Sequence, residues 1–126
     1  MLNEASAYPT IAVNDIETAK KFYEDTLGLD KVSESPGGVL YKSGSSHVFV
    51  YPSMTAGTNQ ATYAGWTVED VESTVSELKN KGVSFEQYDN LPQVKREGDI
   101  HFMGDLKAAW FKDPTGNILS ITNTAG

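Results

Sequence analysis

Ile11, Ala12 and Val13 are apolar, and beyond an acidic turn Ile16, Ala19, Tyr23 and Leu27 recur at spacings of three and four. That spacing lines one helix face with hydrophobic side chains, and Gly28 is the residue type that ends such a helix. Asn14 is placed to cap its start, with Glu17 three residues on in the capping-box position. Polar and apolar residues then alternate in short runs, Lys31–Ser35, Gly38–Ser43 and Ser46–Tyr51, separated by Pro36-Gly37-Gly38 and Ser43-Gly44-Ser45. Alternation bounded by turn residues predicts strands.

The pattern then repeats. Ala12-Val13-Asn14-Asp15-Ile16-Glu17-Thr18 matches Thr67-Val68-Glu69-Asp70-Val71-Glu72-Ser73 in chemistry at nearly every position, 55 residues further on. The second helix buries Val71, Val75 and Leu78, begins near Asp70 and stops at Gly82. Strands follow at Ser84–Tyr88, Ala108–Lys112 and Asn117–Thr122, the last two joined by Asp113-Pro114-Thr115-Gly116. Residues 52–60 read as a linker and residues 91–105 as an insertion in the second copy. The expected class is α+β: two tandem βαβββ units, about 7–51 and 61–122, within one domain spanning 1–126. Each helix covers one sheet face, so the free faces should curve into a mixed-sheet cup with the helices outside.

Composition narrows the function. The chain has 126 residues, no cysteine and a net charge of −7 with a single arginine, Arg96. Disulfides and thiolate chemistry are thereby excluded, and no basic cluster exists to hold nucleic acid or an anionic membrane. No apolar run is long enough to span a bilayer, and Met1-Leu2-Asn3-Glu4 lacks the basic start of a signal peptide, so a cytoplasmic location is expected.

Phe22-Tyr23 and Leu27-Gly28-Leu29 closing the first helix, and above all Ala109-Trp110-Phe111-Lys112-Asp113-Pro114-Thr115-Gly116-Asn117-Ile118-Leu119, resemble the glyoxalase, bleomycin-resistance and extradiol-dioxygenase superfamily. Enzymes of that superfamily hold a divalent metal in the cup through His, Glu or Gln, where it acts as a Lewis acid on two substrate oxygens. The resemblance puts the corresponding positions at Tyr8 and Tyr63, seven residues before Asp15 and Asp70, at Ser120 after the final turn, and at Val50 in the first copy. Phenol, hydroxyl and isopropyl groups are poor ligands for such an ion, so no metal and no cofactor are expected.

Strand alternation sends Tyr8, Thr10, Ala12, Val48, Val50, Tyr63, Gly65, Thr67, Ile118, Ser120 and Thr122 into the cup. Ile11, Val13, Ala64, Trp66, Val68, Leu119 and Ile121 fall beneath the helices, and His47 lies one parity away from the cup. The candidate ligand-binding residues are Tyr8, Thr10, Val50, Tyr63, Thr67, His101, Trp110 and Ser120. His101 is expected to reach over the mouth from the insertion, and Trp110 or Phe111 to form a wall. No catalytic residue is assigned, although Asp99 and Asp105 stay open. The expectation is a metal-independent protein, similar to the bleomycin-resistance branch, that binds a small organic molecule as a homodimer. A metal-dependent lyase, isomerase or dioxygenase with relocated ligands such as His101, and a ligand-free dimeric scaffold, are the alternatives.

Overall fold

In the computed structural model, described over residues 1–123, the chain divides into a unit formed by residues 1–63 and 113–117 and a unit formed by the remainder. The class is α+β, and each unit has its own sheet.

The first unit runs β1 (Thr10–Val13), α1 (Ile16–Lys21), β2 (Asp30–Ser35), β3 (Gly38–Ser43) and β4 (Ser46–Pro52). Its sheet has the order β1-β4-β3-β2, with β1 parallel to β4 and the other pairs antiparallel. Asp15, not Asn14, caps α1: its carboxylate accepts the N–H groups of Glu17 and Thr18. A carboxylate serves better there, because the exposed N–H groups of a helix start carry partial positive charge. Asn14 instead exchanges hydrogen bonds with Thr115. Past Lys21 the helix widens into a π-turn over Phe22–Thr26. Tyr23 leaves that turn fully buried, stacked 6.3 Å from Tyr41. Ile11, Val13, Val39, Val48 and Val50 complete the core on the helix side. Each such side chain contributes roughly 1.5–3 kcal/mol by leaving water.

The chain returns to this unit at residues 113–117, and the reason is polar. Asp113, 4% exposed, accepts the N–H groups of Thr115, Gly116 and Asn117 on Oδ1, and the Tyr23 hydroxyl (2.8 Å) and Asn117 Nδ2 (2.9 Å) on Oδ2. Asn117 Nδ2 also donates to the Ala12 carbonyl at 2.7 Å. One carboxylate thus closes its own turn and joins that turn to α1's extension, while Asn117 joins it to β1.

The second unit contains most of β5 (Thr62–Thr67), then α2 (Val71–Asn80), β6 (Phe85–Glu86), β7 (Lys95–Glu97), β8 (Ile100–Met103), β9 (Leu106–Lys112) and β10 (Ile118–Thr122). Asp70 caps α2 by accepting the Ser73 N–H, and Val71, Val75 and Leu78 form its buried face as the spacing predicts. The sheet order is β5-β10-β9-β8-β7, with β6 also on β9. The N-terminal half of β9 pairs with β8 and its C-terminal half with β6. The insertion is therefore ordered sheet: Gly98-Asp99 and Gly104-Asp105 are two-residue hairpin turns, with Gly98 and Gly104 both at φ +60°. Phe111, Ala109, Leu119 and Ile121 fill the core beneath α2.

Candidate functional site

Antiparallel register assigns the faces of the second sheet. Trp110 stands opposite Ser120, and Phe111 opposite Leu119. Phe111 and Leu119 are buried, so Phe111 belongs to the core, while Trp110 and Ser120 share the other face and are half-buried. Gly65 on β5 lies beside Ser120, so close that an added Cβ would come within 2.5 Å of Ser120 Oγ. Across β9, β10 and β5 the row Trp110, Ser120, Gly65 steps down from the largest side chain to none. The missing side chain at Gly65 is what gives the Ser120 hydroxyl its room on this face.

His101 joins this face through its register with Ala108, itself opposite Thr122. It does not reach over any opening from a loop: it sits in β8 with no exposed surface. Three rings form a cluster, with Trp110 edge-on to His101 at 4.9 Å and to Tyr88 at 5.4 Å, and Tyr88 at 5.6 Å from His101. His101 Nε2 accepts the backbone N–H of Tyr88 at 2.9 Å. An accepting Nε2 has a lone pair, so the ring is neutral and its proton is on Nδ1. Nδ1 is buried and has no hydrogen-bond partner among the described residues. The next residue is held as firmly: Asp89 receives Nε of Arg96 at 2.7 Å and Nη2 at 3.1 Å, while Arg96 Nη1 donates to the Gly98 carbonyl. Burial raises the Tyr88 hydroxyl above the ordinary phenol value, and the negative charge of Glu86 adds to that.

In the first unit the free sheet face differs from the sequence expectation. Val48 and Val50 are buried on the helix side, so Val50 is not a surface position. The reason is register: Val50 opposes Val39 and neighbours Ile11, whereas Phe49 opposes Leu40 and neighbours Thr10. The free face therefore presents Phe49 and Tyr51, whose rings stack at 6.0 Å and 12°, together with exposed Thr10 and with His47. Gly38 makes room for them; a Cβ there would meet Phe49 Cζ at 2.7 Å. Tyr8 precedes β1 outside any regular element and is 51% exposed. Tyr63 is half-buried in β5, and Thr67 is exposed at its end.

The residues at the expected metal positions thus become Tyr8, Phe49, Tyr63 and Ser120. Such a set offers phenols and one hydroxyl, which do not fit a divalent ion. Among the described residues no three His, Cys, Asp or Glu side chains converge. His101 spends one nitrogen on Tyr88 and has no carboxylate bonded to the other. Asp99 is an ion-pair residue, 2.8 Å from Lys79, which holds its carboxyl below the usual range, with a further hydrogen bond from Gln87.

Comparison with known proteins agrees with this architecture. The family model described as glyoxalase/bleomycin resistance protein/dioxygenase superfamily matches residues 5–121. No curated protein sequence matches the chain. Among solved structures, a glyoxalase family protein from Enterococcus faecalis is similar at 18% identity and TM-score 0.72, covering 97% of this chain and 99% of that one. Lactoylglutathione lyase from Agrobacterium tumefaciens is similar at 18% identity and TM-score 0.69, covering 94% and 92%. TnmS3, an antibiotic binding protein from Streptomyces sp. CB03234, is similar at 22% identity and TM-score 0.63, covering 94% and 95%. At these identities the likeness concerns the fold. Among the described residues no helix is long and apolar enough to cross a membrane.

Proposed function

The chain belongs to the glyoxalase/bleomycin resistance protein/dioxygenase superfamily, and on that premise we propose that it is a metal-independent binding protein for a planar, partly apolar small molecule. The observation that carries this reading is the face of the second sheet on which half-buried Trp110 stands opposite Ser120, whose hydroxyl sits against side-chain-free Gly65. A half-buried indole offers a planar ligand a stacking surface, and the Ser120 hydroxyl offers it a hydrogen bond. Chelation is the competing use of the fold, and the donor types at the corresponding positions disfavour it. A neighbour of the same fold that binds an antibiotic is consistent with a non-catalytic role.

Titration of tryptophan fluorescence with planar aromatic compounds tests the reading. Saturable quenching is expected, weakened about tenfold or more in Trp110→Ala and unchanged in Trp66→Phe. Absence of saturable binding across such a panel contradicts it. Metal independence has its own check: protein purified without chelator should contain substoichiometric Zn, Ni, Mn and Fe, and one tightly held equivalent of any of them reverses the proposal.

A further inference from the structure

We infer that His101 is the specificity-determining donor of this aromatic face, selecting planar ligands that carry a hydrogen-bond acceptor in the ring plane, such as a ring nitrogen or carbonyl oxygen. The inference rests on the proposed small-molecule reading and names its ligand class.

Three observations lead to it. The Tyr88 N–H fixes both the tautomer and the orientation of the imidazole, so the Nδ1–H vector is set in advance. Trp110 at 4.9 Å and Tyr88 at 5.6 Å brace the ring on two sides, and the Asp89–Arg96 pair holds the segment that supplies the N–H. Nδ1 is enclosed and has no hydrogen-bond partner among the described residues. An unmatched buried donor costs about 1–3 kcal/mol, and native proteins seldom keep one without a use. A fixed donor on a ring packed against the indole disfavours a flat hydrocarbon and favours a ligand that brings the missing acceptor. Because His101 has no exposed surface, a ligand reaches Nδ1 only when the side chains packed around the imidazole, Trp110 and Tyr88 among them, move.

The test uses quinoline and naphthalene, bicyclic rings of nearly the same shape that differ in one acceptor nitrogen, at pH 8 where quinoline is neutral. The wild-type chain should bind quinoline about three- to tenfold more tightly than naphthalene. His101→Gln places an amide oxygen where Nε2 accepts from Tyr88 but no donor where Nδ1 stands. This variant should lose the preference, binding the two compounds with equal affinity. In wild-type protein labelled with ¹⁵N-histidine, the His101 Nδ1–H resonance should shift on saturation with quinoline and not with naphthalene. Equal affinity for the two compounds, a preference that survives in His101→Gln, or a resonance unmoved by quinoline overturns the inference while leaving the binding reading intact; the last result would assign Nδ1 to an internal water. Failure of the wild-type chain to bind either compound overturns both.

Discussion

Replacing Asp113 by alanine puts the polar centre of the first unit to a quantitative test. Five donors converge on that carboxylate. The N–H groups of Thr115 and Gly116 lie in a partly exposed turn and can bond water once the side chain is gone. The other three donors cannot. The Tyr23 hydroxyl and both Asn117 groups belong to residues with no exposed surface. Hydrogen bonds to a charged acceptor contribute about 1.5–3 kcal/mol each, and relief from burying the carboxylate offsets part of their loss. The net loss expected for Asp113→Ala is about 3 kcal/mol, within the range for breaking a buried network by removing one charged member. Asp113→Asn should cost about 1–2 kcal/mol, because Oδ1 still serves the turn while an NH₂ group faces the NH₂ of Asn117. Urea unfolding followed by circular dichroism and tryptophan fluorescence measures both, with coincident transitions as the check on two-state behaviour. On heating, Asp113→Ala should melt roughly 10 °C below the parent. A loss under about 1 kcal/mol for the alanine variant, or equal losses for the two variants, would refute the argument that these bonds hold the turn in place.

Further expectations concern pH, backbone and capping. Burial, followed by the charge of Asp113 for Tyr23 and the hydrogen bond to Glu24 for Tyr41, raises both phenols well above the free value. Below about pH 10 neither state ionises; above it the unfolded chain releases protons that the folded chain retains, so stability falls by up to about 1.4 kcal/mol per pH unit for each tyrosine. The double variant Tyr23→Phe/Tyr41→Phe should flatten that alkaline slope in urea unfolding measured between pH 9 and 11. Gly38→Ala should destabilise by about 2 kcal/mol or more, since φ is +147° and the new Cβ would lie 2.5 Å from the Val50 carbonyl oxygen; a neutral result by thermal melting contradicts the close-approach argument. Asp70→Ala removes the cap of α2 and should cost about 1 kcal/mol, read from the shift in urea midpoint at unchanged m-value.

The duplicated order of strand and helix was legible because α2 and its counterpart carry their apolar residues on one stripe and start at matching acidic positions. Gly38–Ser43 is a strand with the bounds its alternation predicts. Strand β4 was not resolved the same way. In Val48-Phe49-Val50-Tyr51 both parities are apolar, so alternation alone cannot tell core from free face, and hairpin length pointed to Val50. Aligning the buried pair Leu119 and Ile121 with Val48 and Val50 places Phe49 against Ser120, and that comparison within the sequence would have found the aromatic pair. Residues 91–105 read only as an insertion, although Gly98-Asp99 and Gly104-Asp105 are turn pairs of the two-residue type that mark its hairpins. Tyr88 carries no sequence signal as a site residue, because its role comes from a backbone N–H meeting a histidine 13 positions later. The same holds for His101: its burial depends on pairing with β9 and on the ring of Trp110, neither of which spacing reveals.

The Tyr23 hydroxyl meets its acceptor 90 positions along the chain, and the Ala12 carbonyl meets its donor 105 positions along. A nascent polypeptide that has emerged only as far as residue 63 therefore contains the strand and helix segments of the first repeat, yet two of its interior polar atoms lack their mates until residues 113–117 have been made. Completion of that unit waits on a five-residue turn supplied from beyond its own repeat.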